Sequence, residues 1–264
     1  MKQWFVLFNK EWLEILRSYR ILWLPVSFIV LGASQPIATF FMPDILASAG
    51  NMPEGAIIQI PAPQPYEVMA SALSQFGVIG LLLVALSSMG AISGEKASGT
   101  AAMVLVKPVS HVSFVTAKWA ALLLLSVVSF TAGYGAAWYY TSTLFDSVGW
   151  GEVVQSALLF ALWLGFVGTL ALLFSSLLRS AATAAFGALA TAAVLSIAAS
   201  SLPFEQTWNP GRLSGLAAES LNAGAGSPGG GQGAVWLTVI VTAAAMLAAL
   251  AAAAGSLKRM PSND

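Results

Sequence analysis

Six apolar stretches, each about as long as a membrane-spanning helix, most strongly constrain how this chain can fold. A helix of roughly 20 apolar residues crosses the hydrocarbon core of a bilayer. Only 8% of the residues are charged and 58% are hydrophobic, so most of the surface is too apolar to face water. The sequence therefore predicts an all-α polytopic membrane protein whose six-span domain covers residues 21–257. The predicted spans are Ile21–Met42, Phe76–Ser93, Trp119–Thr141, Val153–Ser175, Ala181–Leu202 and Ala234–Leu257.

The distribution of charge predicts the orientation of these spans. Six spans put both termini on one side, and ten of the eleven Lys and Arg residues fall on that side, whereas only Arg212 falls on the other. Because positive residues mark the cytoplasmic side, we expect both termini in the cytoplasm of a plasma-membrane protein, with a short cytoplasmic tail at 258–264. Outside loops are then expected at residues 43–75 and 203–233. The zero net charge gives no indication of nucleic-acid binding.

Residues 1–20 carry an amphipathic pattern. Aromatic residues recur at helical spacing on one face, and charged residues share the other. Such a helix is typical of the membrane interface. The alternative is a secretory signal peptide, but two acidic residues and the lack of a convincing small-residue cleavage site argue against it. The apolar face carries Phe5, Phe8, Trp12, Ile15 or Leu16, and Tyr19, and the charged face carries Lys10, Glu14 and Arg17.

The stretch GEKASGTAAMVLVKPVSHVSFVTAK, residues 94–118, is a charged interval between the second and third spans. Gly94 and Gly99 permit sharp chain reversals. Thr100 is suited to cap a following helix, and Pro108 to end it. The pattern predicts a short cytoplasmic helix between two turns.

The charges of this stretch have two interpretations. In one, Glu95 and Lys96 pair with charges on a docked partner. In the other, the stretch is a solvated loop whose lysines only enforce topology. For Lys118 we favour the second role, as a topology anchor at the start of the third span.

Several kinds of chemistry have no sequence support. The chain lacks cysteine, a GxxxxGK[ST] phosphate loop, an HExxH pair and a GxSxG nucleophile elbow, and it has one histidine, His111. No Asp, Glu, Lys, Arg or His lies within any predicted span, although ion-coupled carriers and intramembrane enzymes usually need such residues there. We therefore expect no catalytic or metal site, and an energy source outside this chain.

At residues 94–118 the sequence resembles ABC transporter permeases of the type 2 exporter class. In that family an acidic–basic pair precedes Gly-Thr, an apolar run leads to Pro-Val-Ser, and a Lys opens the third span. The amphipathic start with Lys10–Glu11 and the six spans also agree, so the resemblance covers nearly the whole chain. Two departures are His111, where an Arg is usual, and Ala101–Ala102–Met103 in place of a Leu-rich run. The matching residues are Glu95, Lys96, Gly99, Thr100, Pro108, Val109, Ser110 and Lys118.

The resemblance implies a permease that pairs with a second permease chain, identical or similar, and with two copies of a separate ATPase subunit. ATP and Mg would bind to that partner, and this chain would carry no cofactor. The loop at 94–118 would form a coupling helix seated on the ATPase, and the N-terminal helix, with Lys10, Glu11 and Glu14, would touch it too. The substrate would pass between the two permeases.

An exporter permease is therefore the function that the sequence predicts. The alternative is a polytopic scaffold, or an immunity or assembly factor, without transport activity. The spans favour an apolar or amphipathic substrate, although packing alone would select the same residues. Phe204, Trp208 and Arg212 in the second outside loop are candidates for an extracellular lid.

Overall fold

The computed structural model describes residues 2–48, 63–100, 110–202, 206–222 and 232–258. These ranges contain helices and their connections. The helices are α1 (Lys2–Arg17), α2 (Arg20–Ser48), α3 (Pro65–Gln75), a π-helical turn (Phe76–Gly80), α4 (Leu81–Ser88), α5 (Ser93–Ala97), α6 (His111–Leu144), α7 (Trp150–Leu177), α8 (Ala181–Ser201), α9 (Arg212–Ser220) and α10 (Gln232–Lys258).

Among the described residues, six segments are long and apolar enough to cross a bilayer, which confirms the predicted all-α, six-span architecture. Five of them are the single helices α2, α6, α7, α8 and α10. The second span is composite, because α3, the π turn, α4 and α5 follow one another from Pro65 to Ala97. The bundle is therefore built from five continuous helices and one broken one.

The spans differ from the predicted boundaries mainly at the ends. α2 continues past Met42, through Pro43, as far as Ser48. Two short helices lie in segments predicted as outside loops, because α3 extends the second span back to Pro65 and α9 begins at Arg212. Gly94 does not form a chain reversal, because it lies inside α5.

The helices α6 and α7 occupy the centre of the bundle, and α2 and α8 lie at its edges. α2 packs along α6 more extensively than any other pair of helices does. The backbones meet where Gly32 faces Gly133, because a Cβ atom added at Gly32 would overlap the Gly133 carbonyl. Small residues at such crossings let helices approach closely, and both positions here are glycine.

An aromatic cluster fixes the middle of the bundle. The buried ring of Phe130 in α6 stacks on Phe160 of α7, with ring centroids 5.1 Å apart, and meets Phe76 of the π turn edge-on at 5.5 Å. Phe28 of α2 stacks on Phe76 at 5.6 Å. Such ring pairs add about 0.5–1.5 kcal/mol each beyond their area burial. The cluster therefore joins α2, the second span, α6 and α7 into one core.

One face of the bundle carries α1, α5 and the end of α10, and we call it the α1 face. α1 is separated from α2 by a tight turn at Tyr19, whose φ of 57° is uncommon for a residue other than glycine. Ser256 near the end of α10 donates to Ser176 at the end of α7, with the two hydroxyl oxygens 3.0 Å apart. The N-terminal helix α1 and the C-terminal end of α10 thus lie at the same end of the bundle, as expected for an even number of spans.

At the opposite face, residues 206–222 are fixed to the bundle by buried polar groups. The Asn209 amide nitrogen donates to the Leu195 carbonyl at 3.0 Å, and its oxygen accepts from the Gly211 amide at 2.9 Å. The Gln206 amide donates to the Ala198 carbonyl at 3.0 Å. These bonds hold the segment against the end of α8.

Candidate functional site

The short helix α5 lies at the α1 face, where α1, α6 and α7 meet, and we call this meeting point the junction. α1 packs against the start of α6 and against α2, and α5 contacts α7. The indole nitrogen of Trp4 donates to the hydroxyl of Thr116 at 3.1 Å, which ties the beginning of α1 to α6. α1 is therefore attached to the bundle along its length.

The centre of the junction is a cluster of five charged side chains, which we call the ion cluster. The Lys118 ammonium lies 2.8 Å from Glu11 Oε1 and 3.0 Å from Glu95 Oε1. Lys10 pairs with the same Glu95 oxygen, with Glu11 at 2.9 Å and with Glu14 at 3.3 Å. The cluster thus joins three elements, α1 through Lys10, Glu11 and Glu14, α5 through Glu95, and α6 through Lys118.

Three of the five charged side chains in the ion cluster are buried, which raises the cost of leaving any of them unpaired. Lys118 is 2% exposed, and Glu11 and Glu95 are also buried, whereas Lys10 and Glu14 reach the surface. Taking isolated charges out of water costs several kcal/mol each, so buried charges occur in opposite pairs. The two buried carboxylates here share the buried ammonium of Lys118 and the half-exposed one of Lys10. Removal of the Lys118 ammonium would leave two buried carboxylates with only the Lys10 ammonium to compensate them.

The acid–base state of Lys10 follows from the same contacts. Burial alone would lower the pKa of its ammonium, but the hydrogen bonds to Glu95 and Glu11, together with the attraction of both carboxylates, outweigh that effect. The net result is a pKa raised above the ordinary value of 10.5. Lys10 therefore stays charged throughout the neutral range.

The three carboxylates of the ion cluster lie close enough together to suggest a cation site. However, the Glu11 and Glu95 oxygens that converge already accept from the ammonium groups of Lys10 and Lys118. Two ammonium groups thus occupy the position that a metal ion would take. The arrangement is an ion-pair network that fixes helices.

The other side of α5 is held by α7. The Lys96 ammonium donates to the backbone carbonyl of Ser176, one residue before the end of α7. The last carbonyls of a helix lack partners within it and carry partial negative charge, so a lysine is a favourable partner there. Glu95 and Lys96, adjacent in sequence, thus tie α5 to different neighbours.

The outward side of α5 remains open. Gly94, Ala97, Ser98 and Gly99 are exposed. Gly99 has a φ of 74°, which turns the chain sharply after α5, as predicted for this glycine. The Ser98 and Thr100 hydroxyls lie 2.9 Å apart. α5 therefore presents small side chains outward and charged ones inward.

The rest of the predicted coupling stretch is described only at its end. Ser110 is the N-cap of α6, and its hydroxyl accepts from the Ser113 amide at 3.0 Å. The short helix predicted between Thr100 and Pro108, with Pro108 and Val109 themselves, lies outside the described residues. Of the predicted site residues, the junction brings together two from α5, Glu95 and Lys96, and three from α1, Lys10, Glu11 and Glu14.

Two of the three candidate lid residues, Trp208 and Arg212, lie at the opposite face, away from the junction. Trp208 is 59% exposed, and Arg212 is the first residue of α9. Phe204 lies outside the described residues. The described residues around Trp208 are those fixed to α8 by Gln206 and Asn209. A lid role for these residues stays a prediction.

Sequence reasoning missed the role of Lys118, which it treated as a topology anchor. The side chain turns inward and bonds to Glu11 and Glu95. It also did not foresee that Glu95 pairs inside the chain, with Lys10 and Lys118. The available signal was a balance of charge, since Lys10, Glu11, Glu95 and Lys118 all lie outside the predicted spans, on the predicted cytoplasmic side.

Comparison with known proteins identifies the family to which the chain belongs. Residues 5–260 match the family described as ABC-2 family transporter protein. The chain is also similar to the uncharacterized transmembrane protein YxlG of Bacillus subtilis (strain 168), with 36% identity over 213 residues, which cover 81% of this chain and 83% of the relative. The resemblance seen at residues 94–118 is thereby confirmed over nearly the whole chain. The chain is a multi-pass membrane protein that belongs to the ABC-2 transporter family, as a membrane-spanning subunit.

Proposed function

We propose that this chain is the permease of an ATP-driven exporter and that it receives movement from a separate ATPase subunit through α5. The observation that carries the proposal is the placement of α5. Its outward side consists of small exposed residues, while Glu95 and Lys96 fasten it to α1, α6 and α7. A partner that seated itself on α5 would thus push directly on three helices.

The geometry of the junction supports the transmission of movement between helices, and it does not suggest a catalytic reaction at these charged residues. The charged groups of the junction neutralise one another and hold helices together, so they are suited to transmit displacement. In this proposal ATP and Mg bind to the partner, and hydrolysis takes place there. Two copies of the ATPase serve two permease chains, identical or similar, and the substrate crosses between the permeases.

Orientation and direction are part of the same proposal. The α1 face lies in the cytoplasm, where the ATPase is available, and the segment containing Trp208 and Arg212 lies outside. The concentration of Lys and Arg residues on the side of the termini supports this orientation. Export follows the resemblance to the type 2 exporter class. The apolar character of the spans suits an apolar or amphipathic substrate.

The proposal is tested by solubilising the chain from its own membranes in detergent and measuring the ATPase that co-purifies with it. The informative variant is Ala97→Trp, because Ala97 is exposed on α5 and makes none of the bonds that hold the junction. A bulky indole there should prevent seating, so retention of the ATPase should fall at least tenfold while thermal unfolding of the permease stays unchanged. The matched control is Ser147→Trp, at an exposed position in the connection between α6 and α7.

The outcomes separate the two candidate functions. Loss of ATPase with Ala97→Trp and retention with Ser147→Trp supports coupling through α5. If the unaltered chain never retains the ATPase, the coupling proposal is overturned in favour of a scaffold, immunity or assembly factor. Equal retention by both variants leaves the ATPase as a partner and contradicts α5 as its seat.

A further inference from the structure

The second span is broken between α4 and α5, and the break has a definite hydrogen-bond pattern. The Ala91 amide donates to the Ser88 carbonyl at 3.1 Å, and regular helical bonding resumes with the Gly94 amide, which donates to the Gly90 carbonyl at 3.1 Å. Between them, the Ser93 amide would donate to the Met89 carbonyl in an unbroken helix. It donates instead to the side-chain oxygen of Ser175 in α7, at 2.9 Å.

The Ser175 hydroxyl completes the link that the helix lacks. Its oxygen also accepts from the Ile92 amide at 3.1 Å, and its proton is donated to the Met89 carbonyl at 2.7 Å. A hydroxyl from another helix is thus inserted into the backbone ladder of the second span. Insertion of a side chain at this point is a recognised cause of sharp helix bends.

The Ser93 hydroxyl takes part in the same group of bonds, because it donates to the Met89 carbonyl at 3.0 Å and lies 3.2 Å from the Ser175 hydroxyl oxygen. Ser175, Ser93 and Ile92 are fully buried or nearly so. Buried backbone amides need hydrogen-bond partners, and water does not reach this position in the packed bundle. The next residue of α7, Ser176, accepts from the Lys96 ammonium. Two consecutive residues of a central helix therefore hold α5.

We propose that Ser175 is a positioning residue that sets the placement of α5 relative to α4, and that displacement of α5 passes through it to the rest of the second span. The inference rests on the proposed function for the source of the displacement. Because α5 follows α4 after a break, it can tilt only as far as its bonds allow. With the hydroxyl in place, α4 and α5 move together. Without it, the link between the end of α4 and α5 is reduced to the bond from the Ser93 hydroxyl to the Met89 carbonyl, and less of the displacement of α5 reaches α4.

The test measures backbone amide exchange in the full-length chain in lipid nanodiscs. In Ser175→Ala, the Ile92 and Ser93 amides lose their acceptor and should exchange faster, on the order of tenfold. The control is Ser129→Ala, which removes an equally buried hydroxyl whose bond, to the Leu125 carbonyl, stays within its own helix. It should leave both amides unchanged. Ser175→Thr restores a hydroxyl on the same Cβ and should restore slow exchange.

A second measurement addresses transmission, with the chain bound to its ATPase. Addition of ATP should change amide exchange in α3 and the π turn, at the far end of the second span, in the unaltered chain and in Ser129→Ala. In Ser175→Ala this remote change, compared at equal occupancy by the ATPase, should be reduced severalfold. If Ser175 only stabilised the fold, Ser175→Ala would reduce ATPase binding and the remote exchange response in parallel.

Each outcome is decisive. Unchanged exchange at Ile92 and Ser93 in Ser175→Ala overturns the positioning role, as does equally fast exchange in Ser175→Thr. Fast exchange with an unaltered remote response to ATP overturns the transmission role. Failure of the unaltered chain to bind an ATPase contradicts the proposed function alone, because exchange in the isolated chain decides the positioning role of Ser175 without a partner.

Discussion

The ammonium of Lys118 lies 2.8 Å from the Glu11 carboxylate, although 107 positions of sequence separate them. Lys118 belongs to α6 and Glu11 to α1, and the same ammonium also bonds to Glu95 of α5 at 3.0 Å. One buried charge therefore connects the N-terminal helix, the short helix α5 and a central span. Displacement of any of the three elements strains the bonds to the other two.

Replacement of Lys118 should weaken the whole junction. In Lys118→Met, Glu11 and Glu95 stay buried with only Lys10 to compensate two negative charges. Breaking a buried ion pair by removal of one partner costs about 3–5 kcal/mol. We expect a corresponding fall in the free energy of unfolding, measured by thermal unfolding in lipid nanodiscs. The control is Lys258→Met, because Lys258 is exposed at the end of α10.

The same experiment has an internal check. Adding Glu11→Gln and Glu95→Gln to Lys118→Met removes the uncompensated charges, so part of the lost stability should return. If Lys118→Met unfolds at the temperature of the unaltered chain, the ion cluster does not hold the junction together.

The raised pKa of Lys10 predicts low reactivity towards amine reagents. Acylation by a succinimidyl ester needs the neutral amine, and the bonds to Glu95 and Glu11 favour the charged form. At pH 8.5 we expect Lys10 to be modified more slowly than exposed Lys258, as measured by peptide mass spectrometry. Glu95→Gln should accelerate the modification of Lys10 and leave that of Lys258 unchanged. Equal rates for the two lysines in the unaltered chain would contradict the raised pKa.

The direction of the shift also determines how pH affects the junction. A lysine whose pKa is higher in the folded chain stabilises it fully at pH values below the unfolded value, near 10.5. This stabilisation is lost only as the pH rises through the higher folded-state pKa. The contribution of Lys10 should therefore be constant from neutral pH to about pH 10, which thermal unfolding of Lys10→Gln beside the unaltered chain can check.

The sequence predicts the spans well because each is selected by one physical property, a run of apolar residues long enough for the bilayer. The six spans follow from that property alone. The end of α2 was harder to predict, because Pro43 suggests a helix end in isolation. In the bundle, α2 packs along α6 and continues through that proline to Ser48.

The junction was only partly predictable, because its chemistry depends on which distant residues meet. The sequence indicated that Glu95 and Lys96 matter and that α1 is amphipathic. It did not indicate which residues of α1 lie opposite which residues of α6, so the pairing of Glu11 with Lys118 could not be derived. The role of Ser175 was equally hidden, because its hydroxyl bonds to backbone atoms of another span, which no side-chain pattern reveals.

The close approach of α2 and α6 makes a sharp prediction about two glycines of α6. A Cβ atom at Gly133 would overlap the Phe28 backbone of α2, whereas one at Gly135 would meet nothing within 4 Å. Gly133→Ala should therefore destabilise the chain by about 1–3 kcal/mol through overpacking. Gly135→Ala should be neutral, or stabilise by up to about 1 kcal/mol through helix propensity. Thermal unfolding of both variants in nanodiscs gives the comparison, and similar effects from both would contradict a backbone contact at Gly133.

The proposed orientation predicts which single cysteines react from outside the cell. The chain has no cysteine, so Asp146→Cys and Lys258→Cys each introduce a unique thiol at an exposed position, at opposite faces of the bundle. Because ten of the eleven Lys and Arg residues lie on the side of the termini, we expect that side in the cytoplasm. A membrane-impermeant maleimide added to intact cells should label Asp146→Cys, and should label Lys258→Cys only after permeabilisation. The reverse pattern would place the α1 face outside the cell, where no ATP-driven subunit could reach α5.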